Sequence, residues 1–167
     1  MIALIFIALI YISVVKNWFK KIPFRMTIMG LFTTLIISGV TLNVVRPKFY
    51  ELASASGLCF TAIGMFFIIN SGIFQKKKIK KSFLFLSALF MGLSVLARVT
   101  AVFWCFACVV WILYGLIQNN KQNGKNAIEI VKYVLAAGVP YVVFGLIQMW
   151  YNYARFGSVF DFGIQYS

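Results

Sequence analysis

The chain contains no histidine, and its 167 residues include three acids, Glu51, Glu129 and Asp161, and three cysteines. Without histidine, the commonest general acid-base and the commonest metal ligand are both missing. The three acids stand far apart, so no pair of carboxylates is available to share a reaction. Cys59, Cys105 and Cys108 all lie inside apolar runs, where an odd, scattered set packs rather than forming disulfides. "CFAC" puts two sulfurs on one helix face, but a closed zinc site needs four ligands, so no metal is assigned. There is no nucleotide-binding glycine loop, no zinc motif and no serine hydrolase elbow.

What the sequence does have is apolar length and positive charge. It is 62% hydrophobic and 11% charged, with sixteen Lys and Arg giving a formal charge of +13; soluble domains are roughly 45–50% apolar. The positive residues fall in short clusters between apolar runs, as in membrane loops, and do not form a stripe on a soluble domain. Nucleic acid is therefore excluded as a partner, and an integral membrane protein is expected.

A helix needs about 20 apolar residues to cross a hydrocarbon core of roughly 30 Å. On that ruler the chain reads as one transmembrane domain, 1–167, an all-α polytopic helical bundle of about six spans. The first, 1–15, is short, has no positive segment ahead of it, and reads as the second half of a span. The second covers 26–45 and the third Leu52 to Phe74. From Ser82 to Ile117 the apolar signal continues for about 36 residues, and one helix of that length would measure about 54 Å, too long for the bilayer. Two spans turning at "ARVT" (97–100) are expected instead. The sixth runs from near Val131 to near Trp150 across Pro140, which membrane helices tolerate because neighbouring groups re-satisfy the freed carbonyl.

With the turn at Arg98, basic segments 16–25, 76–81 and 121–132 share one side, leaving Arg46, Lys48, Arg98 and Arg155 on the other. The positive-inside rule makes the first side cytoplasmic and puts 151–167 outside. The cytoplasmic lysines suit topology and contact with anionic lipids.

The residues with chemical potential converge on the outer side. Glu51, beside Tyr50, is either an interfacial carboxylate neutralised by Arg46 or Lys48 or an acid-base group. Ala53, Gly57 and Gly64 form a small-residue stripe suited to helix packing. Arg98 would cost about 2.5–3.5 kcal/mol facing lipid, so it either snorkels outward or meets an anion. A lipid phosphate fits a guanidinium, which grips phosphate bidentately. Trp150 and the segment "YNYARFGSVFDFGIQYS" after it gather seven aromatics, Trp150, Tyr151, Tyr153, Phe156, Phe160, Phe162 and Tyr166, around Asn152, Arg155, Gly157, Asp161 and Gly163. It reads either as an aromatic belt at a span end or as part of a sugar-binding wall.

Three segments in order, "RPKFYELASASG", "GLSVLARVTAV" and "YNYARFGSVFDFG", resemble corresponding segments of bacterial membrane glycosyltransferases of GT-C architecture, similar to protein O-mannosyltransferases and lipid A aminoarabinose transferases. The resemblance spans Arg46 to Gly163. It implies a GT-C-like bundle in a bacterial cytoplasmic membrane and inverting transfer of a sugar from a polyprenyl-phosphate sugar to an extracytoplasmic acceptor. By position in the motifs, Arg98 and Arg46 would bind the donor's lipid phosphate, while Tyr50, Asn152, Arg155, Phe156 and Asp161 would line the cavity or acceptor side. The catalytic group is unassigned, with Glu51 the candidate carboxylate. No cofactor is evident, although the leaving phosphate's charge is met in such chemistry by cations or a divalent metal. The chain departs from the pattern in two ways. "ARVT" replaces the usual Arg-Pro, and the large first outer loop that carries the family's base does not precede Met1, so a fragment inactive by itself is expected. The alternatives are a non-enzymatic membrane subunit and part of a lipid or solute transporter.

Overall fold

The computed structural model describes residues 1–19, 21–39, 49–75, 78–123 and 127–161, with backbone alone for 49–51, 121–123 and 127. Among the described residues there are six helices and no strand: α1 (Ile2–Trp18), α2 (Phe24–Ile37), α3 (Phe49–Asn70), α4 (Lys81–Ala97), α5 (Ala101–Asn123) and α6 (Ala127–Phe156). Three of them contain stretches long and apolar enough to cross a membrane, Leu52–Asn70, Ala101–Asn120 and Ile128–Phe156. This is a membrane protein. The apolar helices α1, α2 and α4 are shorter, at 17, 14 and 17 residues.

Side-chain contacts give the helices alternating directions. Phe6 meets Phe66 edge-on at 5.5 Å and Asn70 donates to Ser13, so α1 and α3 run the same way. Tyr11 of α1 lies against Gly30 of α2, closing a short antiparallel pair. Along α3 and α4, Gly57 faces Arg98, Gly64 faces Met91, and Phe67 meets Phe83 at 5.3 Å, which is antiparallel. Cys108 donates to Met65 Sδ at 3.7 Å and Trp111 stacks on Phe74 at 4.4 Å, so α5 runs parallel to α3. Lys81 covers Tyr133, and Phe144 presses on Gly92, so α6 runs parallel to α4.

The small-residue stripe serves packing, as its spacing suggests. A Cβ on Gly64 would stand 2.9 Å from Met91 Cγ, too close to coexist without movement. The core behind this contact contains Ile68, Leu84, Met91, Cys105, Cys108, Ile112 and Leu116. In lipid such contacts act through close packing rather than escape from water, which is why small residues matter there. Buried Ser71, Ser87 and Ser94 each donate to the carbonyl three residues back, at 2.7, 2.7 and 2.6 Å, and so leave no unsatisfied hydroxyl. The three cysteines are free, with Cys105 and Cys108 buried.

Element boundaries depart from expectation in three places. The second helix is described only to Ile37; most of the remainder of the expected span, 40–45, lies outside the described residues. The third helix stops at Asn70 rather than continuing to Phe74. Gly72 takes φ +85 and the chain folds back so that Lys80 N–H donates to Ser71 O at 2.9 Å. The sixth helix does not end near Trp150. Nothing in "YNYARF" breaks a helix, and it runs to Phe156, where Gly157 at φ +72 donates to Tyr153 O and closes it. Its 30 residues measure about 45 Å, longer than the hydrocarbon core, so it tilts or projects beyond it.

Candidate functional site

The helix directions sort charge by position. Lys16, Lys21, Arg25, Lys78, Lys80, Lys81 and Lys132 come at one end of the bundle, and Arg98 and Arg155 at the other. Arg98 occupies the break between α4 and α5. Its backbone is extended, with φ −154 and ψ 116, and its N–H still donates to Ser94 O at 2.9 Å. Ala101 N–H then returns to Arg98 O at 2.9 Å and Val102 N–H to Val99 O at 3.0 Å, so α5 starts immediately in the reverse direction. These two bonds hold a tight turn without the proline that an Arg-Pro sequence would supply.

From this turn Arg98 stays exposed, and its Nη1 donates to Ser54 Oγ on α3. Gly57 lies beside this contact, where a Cβ would stand at an ordinary packing distance of 3.6 Å from Arg98 Cβ. Glu51, Ser54 and Leu58 are spaced three and four apart, which puts them on one helix stripe. Leu58 forms part of the wall of an open apolar cleft of about 650 Å³ between α1, α2 and α3, together with Ile7, Tyr11, Gly30, Thr33, Thr34, Ile37 and Ser38. Thr33 and Thr34 donate to their own helix carbonyls at 2.9 and 2.8 Å, which keeps the cleft surface nonpolar. A cationic group thus stands one helical turn from a greasy groove.

The other expected site residues are distributed as follows. Arg46 lies outside the described residues, and of Tyr50 and Glu51 only the helical backbone, in the first turn of α3, is described. Asn152 is 1% exposed; it accepts from Gln148 Nε2 at 3.0 Å and donates to Val159 O at 3.1 Å, fastening the segment after α6 onto the helix end. Arg155 is exposed, donates to Tyr151 OH at 2.7 Å and lies 5.9 and 5.2 Å from the Tyr151 and Phe156 rings. Phe156 and Asp161 are half-buried. The described contacts therefore join Arg98 to α3, whereas Arg155 is gathered into the collar of its own helix. Ser54 and Leu58 were not singled out from the sequence, although their spacing from Glu51 was the available signal.

Among the described residues no three His, Cys, Asp or Glu side chains converge on a point where a metal could sit. In comparison with known proteins, the chain matches no protein-family model, no curated protein and no solved structure.

Proposed function

We propose that this chain is the membrane part of a glycosyltransferase that takes a sugar from a polyprenyl-phosphate donor at the Arg98 end of the bundle. The observation that carries the reading is the Arg98–Ser54 pair one turn above the apolar cleft at Leu58. A lipid phosphate needs a cation and a hydroxyl for its oxygens and an apolar groove for its chain. A guanidinium can hold two of those oxygens at once. The resemblance of the "RPKFYELASASG", "GLSVLARVTAV" and "YNYARFGSVFDFG" segments to GT-C transferases supplies the reaction. All six helices cross a bacterial cytoplasmic membrane in this reading, with the lysine end cytoplasmic by the positive-inside rule and the Arg98 end outside.

In the transfer, an acceptor hydroxyl oxygen attacks the anomeric carbon from the face opposite the phosphate. The bond from that carbon to the phosphate oxygen breaks, and configuration inverts. The acceptor's proton goes to a carboxylate, for which Glu51 is the candidate, and Arg98 meets the charge left on the phosphate. Arg46 joins the phosphate contacts, and Tyr50, Asn152, Arg155, Phe156 and Asp161 belong to the acceptor-side surface.

The test is native mass spectrometry of detergent-purified protein titrated with a polyprenyl phosphate, alongside transfer of labelled sugar by membranes containing the protein. Retention of the lipid phosphate that falls at least tenfold in Arg98→Leu and partly recovers in Arg98→Lys is expected. Equal retention by wild type and Arg98→Leu would sink the donor site. Transfer of the labelled sugar would add catalysis to binding, whereas binding without transfer would leave lipid-phosphate binding as what this chain does by itself.

A further inference from the structure

The opposite end of the bundle holds a second, chemically different cavity. It has a volume of about 270 Å³ and lies where the turn after α3 meets the last turns of α5. Gln75, Tyr114, Gln118 and Asn119 supply its polar wall, and Ile73 and Phe74 its apolar one. Phe74 is fixed by stacking on Trp111. Gln118 Nε2 donates to Tyr114 OH at 2.6 Å, and Gln75 Nε2 to Ile69 O at 3.3 Å, so both amides are oriented before any ligand arrives. Asn119 is 4% exposed, and next to it Asn120 Oδ1 is buried without a partner among the described residues.

We infer that this cavity binds the headgroup of an anionic phospholipid whose headgroup is a polyol, such as phosphatidylglycerol. The lining decides the class. Among the described lining residues none is acidic, so an ammonium headgroup finds no counter-charge in them. None of those described residues is cationic either, so the polar wall itself offers hydrogen bonds rather than charge. Amides and a phenol both donate and accept, which matches hydroxyl groups. Depth decides the source. The apolar stretch of α5 ends at Asn120, so Gln118 and Asn119 stand at the level where hydrocarbon gives way to headgroups. The phosphodiester is met by Lys78, an exposed residue whose backbone carbonyl packs against Gly72, next to cavity residue Ile73. The inference uses none of the residues of the Arg98 site and stands whether or not that site binds a donor.

The experiment is native mass spectrometry of the purified protein with phosphatidylglycerol, phosphatidylethanolamine and soluble glycerophosphoglycerol. Phosphatidylglycerol should be retained roughly tenfold better than phosphatidylethanolamine, since several hydrogen bonds each contribute a few-fold. Asn119→Leu and Gln118→Leu should each reduce that preference about threefold to tenfold, while Arg98→Leu leaves it unchanged. Competition by glycerophosphoglycerol at high concentration shows a site that reads the headgroup; lack of competition together with an unaltered preference in Gln118→Leu would leave only charge at the lysines and overturn the cavity. Equal retention of the two phospholipids by wild type overturns it as well. Because a buried Asn119 variant can misfold, Gln75→Leu, at the wall of the surface turn, is measured in parallel and must show the same loss.

Discussion

The lysine end of this bundle and the Arg98 end both carry positive charge, but they hold it differently. At the lysine end the cations sit on turns and in the first or last turns of helices. Lys80 lies 4.7 Å from the centre of the Phe83 ring and Lys81 5.4 Å from that of Tyr133, flexible stems laid over aromatic faces. At the other end Arg98 is set by a break in the helix path and tied to Ser54 on a neighbouring helix. An ammonium is a hydrated point charge on a mobile chain, suited to many anionic lipids, whereas a planar guanidinium held at its base and tip suits one phosphate. Charge count therefore distinguishes orientation, and charge placement distinguishes sites.

The comparison can be broken most severely through the contact that both ends share. Gly92→Leu drives a side chain into Phe144 and pushes α6 from α4. It should destabilise the bundle by about 1–3 kcal/mol or more, with a drop in melting temperature of roughly 2–4 °C per kcal/mol. Both lipid preferences should weaken together in a thermal-shift and retention assay. An unchanged melting temperature would mean that α4 and α6 do not pack in this register.

A more selective pair of changes separates the ends. Arg98→Leu should lower polyprenyl-phosphate retention between tenfold and a hundredfold, as expected for loss of charged hydrogen bonds of about 1.5–3 kcal/mol. Lys78→Ala should change the same retention no more than about twofold, because one exposed charge is worth little. Comparable losses from both would erase the distinction drawn between them.

Orientation gives the next effect. Ser158→Cys, placed in a chain with its native cysteines replaced by serine or alanine, should react with an impermeant thiol reagent from the outside. Changing Lys78, Lys80 and Lys81 to Gln should make a fraction of the molecules label from the inside, since those cations bias the orientation. Labelling of the original orientation only from the cytoplasm would reverse the assignment of both ends.

The smallest effect belongs to the collar. Arg155→Ala removes a bond to Tyr151 and contact with two exposed or half-buried rings, and should cost less than about 1 kcal/mol of stability. Asn152→Ala should cost more, about 1–3 kcal/mol, because Gln148 and the Val159 carbonyl would lose a buried partner. Denaturant or thermal unfolding of the two variants orders them.

Particular residues explain which features could be read in advance. The turn at Arg98 was legible because a helix of the full apolar length would exceed the bilayer and a charge marks the economical place to break it. The small-residue stripe was legible because Gly57 and Gly64 recur at helical spacing. The true end of α6 was missed because the aromatics after Trp150 look like a loop collar in composition, yet contain no helix breaker before Gly157. Asn152 was expected on the cavity or acceptor side, and its role in fastening residue 159 was not legible because neither its burial nor that folding back is visible in a linear chain.

By itself the sequence determined that this is a helical membrane protein and that its charges are unequally shared between two ends, because hydrophobic length and loop charge are local properties. Tertiary structure alone decided that Arg98 reaches Ser54, that an apolar cleft begins one turn away, and that four amide and phenol side chains line a cavity at the lysine end. Those arrangements depend on which helix faces meet. In a chain that is apolar nearly all round its helices, periodicity carries too little contrast to choose the faces, and close packing at a few small residues makes the choice.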